Sequence, residues 1–557
     1  MALEKITVGE LIARFLEQCG ARSAFGVISI HNMPILDAFG RRAAAKIPGA
    51  IRFVPARSEA GAVNMADANA RVSGGIGIAV TSTGTGAGNA CGALVEALTA
   101  GVPVIHLTGQ IELPYLDRDL GYIHEARSQP EMLASVSKAF YRIWSAQTAL
   151  GTMREAVRTA CTAPAGPVSV EIPIDVQGML IDLPEDLSPL PVEPTRPNEA
   201  SLDLLADKLS AAKRPLLWVG GGARGARGAV MKLAEMGIAV ISSVQGRGVL
   251  PENHPMSLGA LHMSGVTERF YSTCDAILVA GSRLRSNETL KYKLKLPRPL
   301  YRIDADPRQE GRAYPADFFI GGDAGLALEG LASRLKGRLK PDPAFASEVR
   351  AARAALELDV RQTLGPYEKL LDALAATQNY VWVRDITLSN SIWGNRMMHI
   401  GDPRHAVHAT GGGIGQGIQQ ALGAALAAPD RKVLCLTGDG GLQLNIGELA
   451  TLVQERANVL VILMNDGGYG VIKNIQDAQF GARHYFVDLH TPDFSLLAKS
   501  INLPHVRITD LAKIGGPLAE LAAINGPAML EIDMVTVGPF AAAYAGPPDG
   551  KAEKAKP

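Results

Sequence analysis

The chain has 557 residues, of which 47% are apolar and 20% charged, with 59 glycines. That composition excludes a disordered, collagen-like or coiled-coil protein, and at about 100–200 residues per domain the length implies about three domains. Lys plus Arg and Asp plus Glu number 55 each, a balance that argues against nucleic-acid binding by broad phosphate neutralisation.

The five cysteines (Cys19, Cys91, Cys161, Cys274, Cys435) are scattered, with no zinc-ligand spacing, and several, in apolar contexts such as 433–436, read as buried reduced thiols. The N-terminus lacks a basic-then-apolar leader, and no apolar run reaches the roughly 20 residues of a membrane span. The expectation is a cytoplasmic protein without a membrane contact.

In chain order, short apolar runs alternate with helix-period stretches: 76–80, 102–107, 276–280, 432–436 and 459–464. Such runs are strands buried on both faces of parallel α/β layers. Residues 182–197 contain five prolines and read as an extended linker. A second boundary lies near 336–365, where Pro341 and Pro343 precede a charged helix and then Gly365-Pro366. The chain is expected to form three doubly wound parallel-sheet domains, 1–182, 198–336 and 360–545, with a mobile tail at 546–557.

The most specific motif lies in the last third. The strand 432–436 leads into Gly438-Asp439-Gly440-Gly441, Leu442–Ala457 follows with helical spacing, and the strand 459–464 ends in Asn465-Asp466-Gly467-Gly468-Tyr469-Gly470. Asp439 and Asp466 are 27 residues apart, one strand–helix–strand step, which makes their loops neighbours at the carboxyl edge where open α/β sheets bind ligands. Gly440 and Gly441 admit an anion to the helix start. Two carboxylates and a loop carbonyl leave octahedral positions for phosphate oxygens, the arrangement Mg²⁺ prefers.

On these residues the chain resembles the thiamine-diphosphate enzymes of the acetolactate synthase, benzoylformate decarboxylase and pyruvate decarboxylase superfamily, over about residues 5–540. The resemblance implies a pyrimidine-binding, a central and a diphosphate-binding domain in that order, with thiamine diphosphate and Mg²⁺ as cofactors. It maps the metal ligands to Asp439, Asp466 and the carbonyl of Gly468. Asp466 stands where the family more often has Asn.

Glu59, in Arg57-Ser58-Glu59-Ala60-Gly61, is implied as the carboxyl that hydrogen-bonds the aminopyrimidine of the cofactor. That contact favours the imino tautomer that deprotonates the thiazolium C2. Thr410 to Ile418 is implied as the loop beneath the cofactor, with Ile414 wedging it into a V and the Gly412 carbonyl receiving the 4′-amino group. Ser389 and Asn390 fall where the family touches the diphosphate; Gly438, Gly440, Gly441, Tyr469, Val471 and Ile472 complete the implied cofactor and substrate wall.

The resemblance also implies catalytic positions: His31, beside Ile30 in the 25–32 loop; Ser82, where benzoylformate decarboxylase has a histidine; His124; and His408. Converging histidines suit acid–base work near neutral pH. Sites shared between subunits imply a homodimer or a dimer of dimers, a homotetramer. The implied reaction is cleavage or ligation of a C–C bond beside a carbonyl, by a 2-oxo acid decarboxylase or carboligase. Lys473-Asn474-Ile475-Gln476 replaces the tryptophan-bearing segment of the synthases.

A second reading is a 2-hydroxyacyl-CoA lyase or oxalyl-CoA decarboxylase with an acyl-CoA substrate. It calls on Lys551, Lys554 and Lys556 for CoA phosphates and on the central domain for ADP. Gly220-Gly221-Gly222 and Asp304-Ala305-Asp306 there are also compatible with FAD. A third reading, a non-catalytic paralogue, leaves Glu59, Asp439 and Asp466 without a purpose.

Overall fold

The computed structural model describes residues 4–546, and in it the apolar runs become inner strands of three parallel sheets. The expected tail beyond Gly546, with Lys551, Lys554 and Lys556, lies outside the described residues. In the strand Lys432–Gly438, Val433 and Cys435 pack to one side and Leu434 and Leu436 to the other, all fully buried. Helices on both faces demand this continuous apolar pattern. Cys435 is a buried free thiol.

From edge to edge the first sheet runs Arg52–Pro55, Ser23–Gly26, Gly77–Thr81, Val104–Gln110, Val168–Pro173 and Ala139–Arg142, all parallel. The last sheet runs Ala406–His408, Tyr380–Arg384, Lys432–Gly438, Val459–Asn465, Ala528–Asp533 and His505–Ile508, also parallel. Counted along the chain, both orders read second, first, third, fourth, sixth, fifth; the first and last domains share one topology. The central sheet has five parallel strands between Pro215 and Gly321. An antiparallel pair, Lys5–Thr7 with Leu180–Asp182, closes the first domain.

The first and last domains pack through the helices Glu59–Ser73 and Gly417–Ala427. Small residues allow the approach: a Cβ at Gly423 would strike the carbonyl of Met65. Asn64 donates to Gln419 Oε1 at 2.8 Å and Asn69 to the carbonyl of Gly423 at 3.2 Å. Among the described residues, no helix is long and apolar enough to cross a membrane.

The helix expected over Leu442–Ala457 is broken into Asp439–Gln443 and Glu448–Gln454. The reason is tertiary. Asn445 turns its amide to the carbonyl of Gly415 at 2.9 Å, and Glu448 accepts from the backbone N–H of Arg57 at 2.9 Å.

His106, on Val104–Gln110, is fully buried between the hydroxyls of Thr81 and Ser169, each at 2.9 Å. Burial lowers its pKa to about 4. The unfolded chain therefore binds a proton that the folded one refuses between pH 6.5 and 4. Stability is complete above pH 6.5 and declines on acidification across that window, by about 3 kcal/mol for this group. The thermal midpoint of the protein should fall from pH 7 to 4.5, and His106→Gln should flatten that slope.

Candidate active site

All but one strand of the last sheet end at a single cavity of about 260 Å³. The loop after Tyr380–Arg384 contributes Thr387 and Ser389, and the loop after Ala406–His408 contributes Gly412 and Ile414. Gly438, Asp439, Gly440 and Gly441 follow the third strand; Asp466, Gly468, Tyr469, Val471 and Ile472 follow the fourth. Every candidate cofactor and metal residue lines the cavity except Asn390, which is buried outside the lining with its Oδ1 unpartnered. The cavity lies where the strand order reverses between the first and third strands, the position open α/β sheets use for ligands.

Close packing explains the glycines. A Cβ on Gly440 would come within 2.7 Å of the carbonyl oxygen of Gly468 and within 2.8 Å of the Tyr469 ring. Gly412 adopts a φ of +88° and Gly415 a φ of +78°, a backbone region that side chains disfavour.

Asp439 is fully buried; its Oδ1 accepts the Asp466 N–H at 3.1 Å, while Oδ2 has no partner. Burial raises the pKa of both carboxyls. For Asp466 the charge of Asp439 adds to burial and lifts it to about 7. A buried and a half-buried carboxylate side by side, one with an orphaned oxygen, form a donor set suited to a divalent cation. Among the described residues no three His, Cys, Asp or Glu side chains converge, so a cation held here would need further ligands, for which the Gly468 carbonyl and a bound anion are candidates. The orphaned, buried hydroxyl of Ser389 on the opposite wall is a ready partner for such an anion.

Sequence reasoning missed the residues that hold the Gly-rich loop. Asp385 accepts from the N–H of Gly415 at 3.0 Å and from Thr437 Oγ1 at 3.2 Å, and burial raises it to about 6. Glu96, from the first domain, accepts from the N–H of Thr410 at 2.6 Å and from that of Gly411. A carboxylate directly after a strand was the available signal for Asp385; Glu96 offered none.

In the first domain, Glu59 opens the helix Glu59–Ser73, capped by Ser58 Oγ accepting from the N–H of Gly61 at 3.0 Å. Glu59 is half-buried and accepts from Asn89 at 3.1 Å. A Cβ on Gly86 would lie 2.9 Å from Ser82 Cβ and 3.2 Å from Glu59 Oε1, so Ser82 and Glu59 flank one point. The buried Ser82 hydroxyl has no partner. His31 is buried, its Nδ1 is unpartnered, and its ring meets that of His124 edge-on at 5.4 Å. Burial, then the neighbouring His124, lowers the His31 pKa. His124 is exposed at a φ of +66°.

His408 stands apart. It is buried with Nδ1 3.2 Å from the carbonyl oxygen of Arg384, outside the cavity lining, and burial followed by the charge of Arg384 holds it well below the usual imidazole range. Glu59, Ser82 and His31 do not line the cavity either; within one chain its wall comes from the last domain alone.

Three sequence profiles cover most of the chain: the thiamine pyrophosphate enzyme N-terminal TPP binding domain at residues 6–133, the central domain at 202–331, and the C-terminal TPP binding domain at 388–532. The chain belongs to the thiamine pyrophosphate enzyme family. It is 30% identical to a probable 2-ketoarginine decarboxylase of Pseudomonas aeruginosa, over 95% of this chain and 94% of the relative. It is 28% identical, with the same coverage, to the acetolactate synthase isozyme 1 large subunit of Escherichia coli. A probable acetolactate synthase large subunit of Methanocaldococcus jannaschii is 27% identical over 97% and 94%. The cavity of this thiamine pyrophosphate enzyme lies within its C-terminal TPP binding domain, and Glu59 within its N-terminal one.

A second cavity of about 260 Å³ opens between the central and first domains. It is lined by Gly221, Gly222, Arg283, Arg285 and Asp304, and at one end by Thr410.

Proposed function

We propose that the protein is a thiamine-diphosphate- and Mg²⁺-dependent enzyme that releases CO₂ from a 2-oxo acid, as a decarboxylase or as the first half of a carboligation. The observation that carries this reading is the cavity holding Asp439, Asp466, Gly468 and Ser389 together at the strand ends. When bound, thiamine diphosphate supplies an electron sink for the pair left by cleavage of the bond beside the carbonyl.

The chain's own residues do the rest. Asp439, Asp466 and the Gly468 carbonyl bind the cation, which neutralises the diphosphate. Gly440, Gly441 and Ser389 would hold the anion, and Ile414 would pack against the cofactor from the Gly-rich loop. Glu59 would hold the proton shared with the aminopyrimidine. His31, whose pKa burial and then His124 lower, would be available as a proton acceptor, with the His124 ring edge-on beside it. Val471 and Ile472 keep the cavity apolar.

Glu59 and the cavity belong together only if a second subunit completes the site. Apolar side chains stand exposed on both halves, Ile28, Ile30 and Ile123 on one and Ile414, Ile472 and the 97%-exposed Phe486 on the other. Association of two copies would cover them.

Glycines and arginines in the second cavity favour a nucleotide there, ADP or FAD, which keeps the acyl-CoA lyase reading as the alternative. A panel of 2-oxo acids, including pyruvate and 5-guanidino-2-oxopentanoate, and of acyl-CoA thioesters separates the two. CO₂ release from a 2-oxo acid, dependent on added thiamine diphosphate and Mg²⁺, is expected. Turnover of thioesters alone would overturn the proposal.

A further inference from the structure

The loop that carries Gly412 and Ile414 is a wall shared by two cavities. Thr410 faces the central-domain cavity, and Gly412 and Ile414 face the one in the last domain. The three glycines in a row, Gly411 to Gly413, have no side chains to fix them. The backbone of the loop is held from outside. Arg285 donates to the carbonyl of Thr410 at 2.9 Å, and Gln245 hydrogen-bonds the Thr410 hydroxyl, both from the central domain.

The strongest hold comes from Glu96, on the helix Thr85–Ala100 of the first domain and only 1% exposed. Its Oε1 accepts from the Thr410 N–H at 2.6 Å and its Oε2 from the Gly411 N–H. Arg71, itself fully buried, donates to Glu96 Oε1 at 3.0 Å, lies 2.7 Å from Asp67 and donates to the carbonyl of His408 at 2.8 Å. The guanidinium thus fixes both the carboxylate and the strand from which the loop departs. A Cβ on Gly411 would come within 2.9 Å of Glu96 Oε2, so the glycine is what lets the loop seat on the carboxylate.

We infer that Glu96 is a positioning residue for the cofactor: it acts through the N–H groups of Thr410 and Gly411 to place Gly412 and Ile414, an inference that rests on the cofactor assignment proposed above. Glutamate is required for a stated reason. Both of its oxygens accept, from two backbone N–H groups and one guanidinium. A glutamine would turn a donating NH₂ toward one of these donors. The loop would lose a charge-assisted hydrogen bond, and the buried carboxamide would gain an unsatisfied contact.

The test is calorimetric titration of purified protein with thiamine diphosphate in excess Mg²⁺, on the parental protein, Glu96→Gln, Glu96→Asp and Asp67→Asn. Asp67 shares Arg71 with Glu96 but accepts no N–H from the loop, so its variant reports any general loss of packing around that arginine. Glu96→Gln should raise the cofactor Kd by about tenfold or more. Glu96→Asp, which keeps the charge but reaches one N–H, should lie between it and the parent. Asp67→Asn should bind within about twofold of the parent even if its thermal midpoint falls.

Parental affinity in Glu96→Gln, or equal weakening in Asp67→Asn, would overturn the positioning role. Should Glu96→Gln fail to fold, parental affinity in Glu96→Asp would overturn it in the same way. A parental protein that bound no thiamine diphosphate would instead overturn the cofactor assignment, and the positioning role with it.

Discussion

Glu59→Gln is expected to fold and to bind thiamine diphosphate and Mg²⁺ almost normally, yet to lose activity by about 10²–10⁴-fold, the range of a positioned acid–base group. Glutamine keeps the length of the side chain and its hydrogen bond from Asn89, at 3.1 Å in the parent. What it loses is the ability to hold and return a proton. Exchange of the thiazolium C2 proton with deuterated solvent, followed by quenched NMR, should slow in parallel with turnover. A variant that turned over and exchanged at the parental rate would remove Glu59 from the activation step. The half-buried position beside the unpartnered Ser82 hydroxyl makes the substitution mild for the fold, so the loss would report on chemistry.

Asp439→Ala should abolish retention of thiamine diphosphate, raising its Kd by roughly 100-fold or more, since a direct ligand contributes at least as much as the partners that orient one. Stability should hardly suffer. In the protein without a cation, Asp439 is a buried carboxylate with an unpartnered oxygen beside a second carboxylate, so removing it relieves a desolvation cost. Asp466→Asn should bind the cofactor, because an amide oxygen still coordinates Mg²⁺. Full cofactor occupancy after gel filtration of Asp439→Ala would refute the metal assignment.

The contrast between what the chain announces and what it conceals follows from distance along it. Asp439 and Asp466 are one strand–helix–strand step apart, and their glycines are local necessities of backbone approach. The motif can therefore be read without coordinates, as can the parallel layers that follow from two-sided burial. Glu96 meets a loop 314 residues away, and nothing in its own helix marks it out. His408 shows what a position near the Gly-rich loop leaves open: a strand alternates its faces, and this side chain turns toward Arg384, Arg285 and Arg71 rather than into the cavity lining. The broken helix after Asp439 has the same cause: Asn445 and Glu448 answer to partners in other segments.

The antiparallel pairing of Lys5–Thr7 with Leu180–Asp182 places the entrance and the exit of the first domain side by side; Ile6 faces Ile181, and the N–H of Leu183 reaches the carbonyl of Glu4 at 2.7 Å. A unit whose two ends meet at one seam is tied to the rest of the polypeptide at one point. It can be circularly permuted, lifted out or spliced into another chain without re-threading a strand. Such a unit is also easily duplicated.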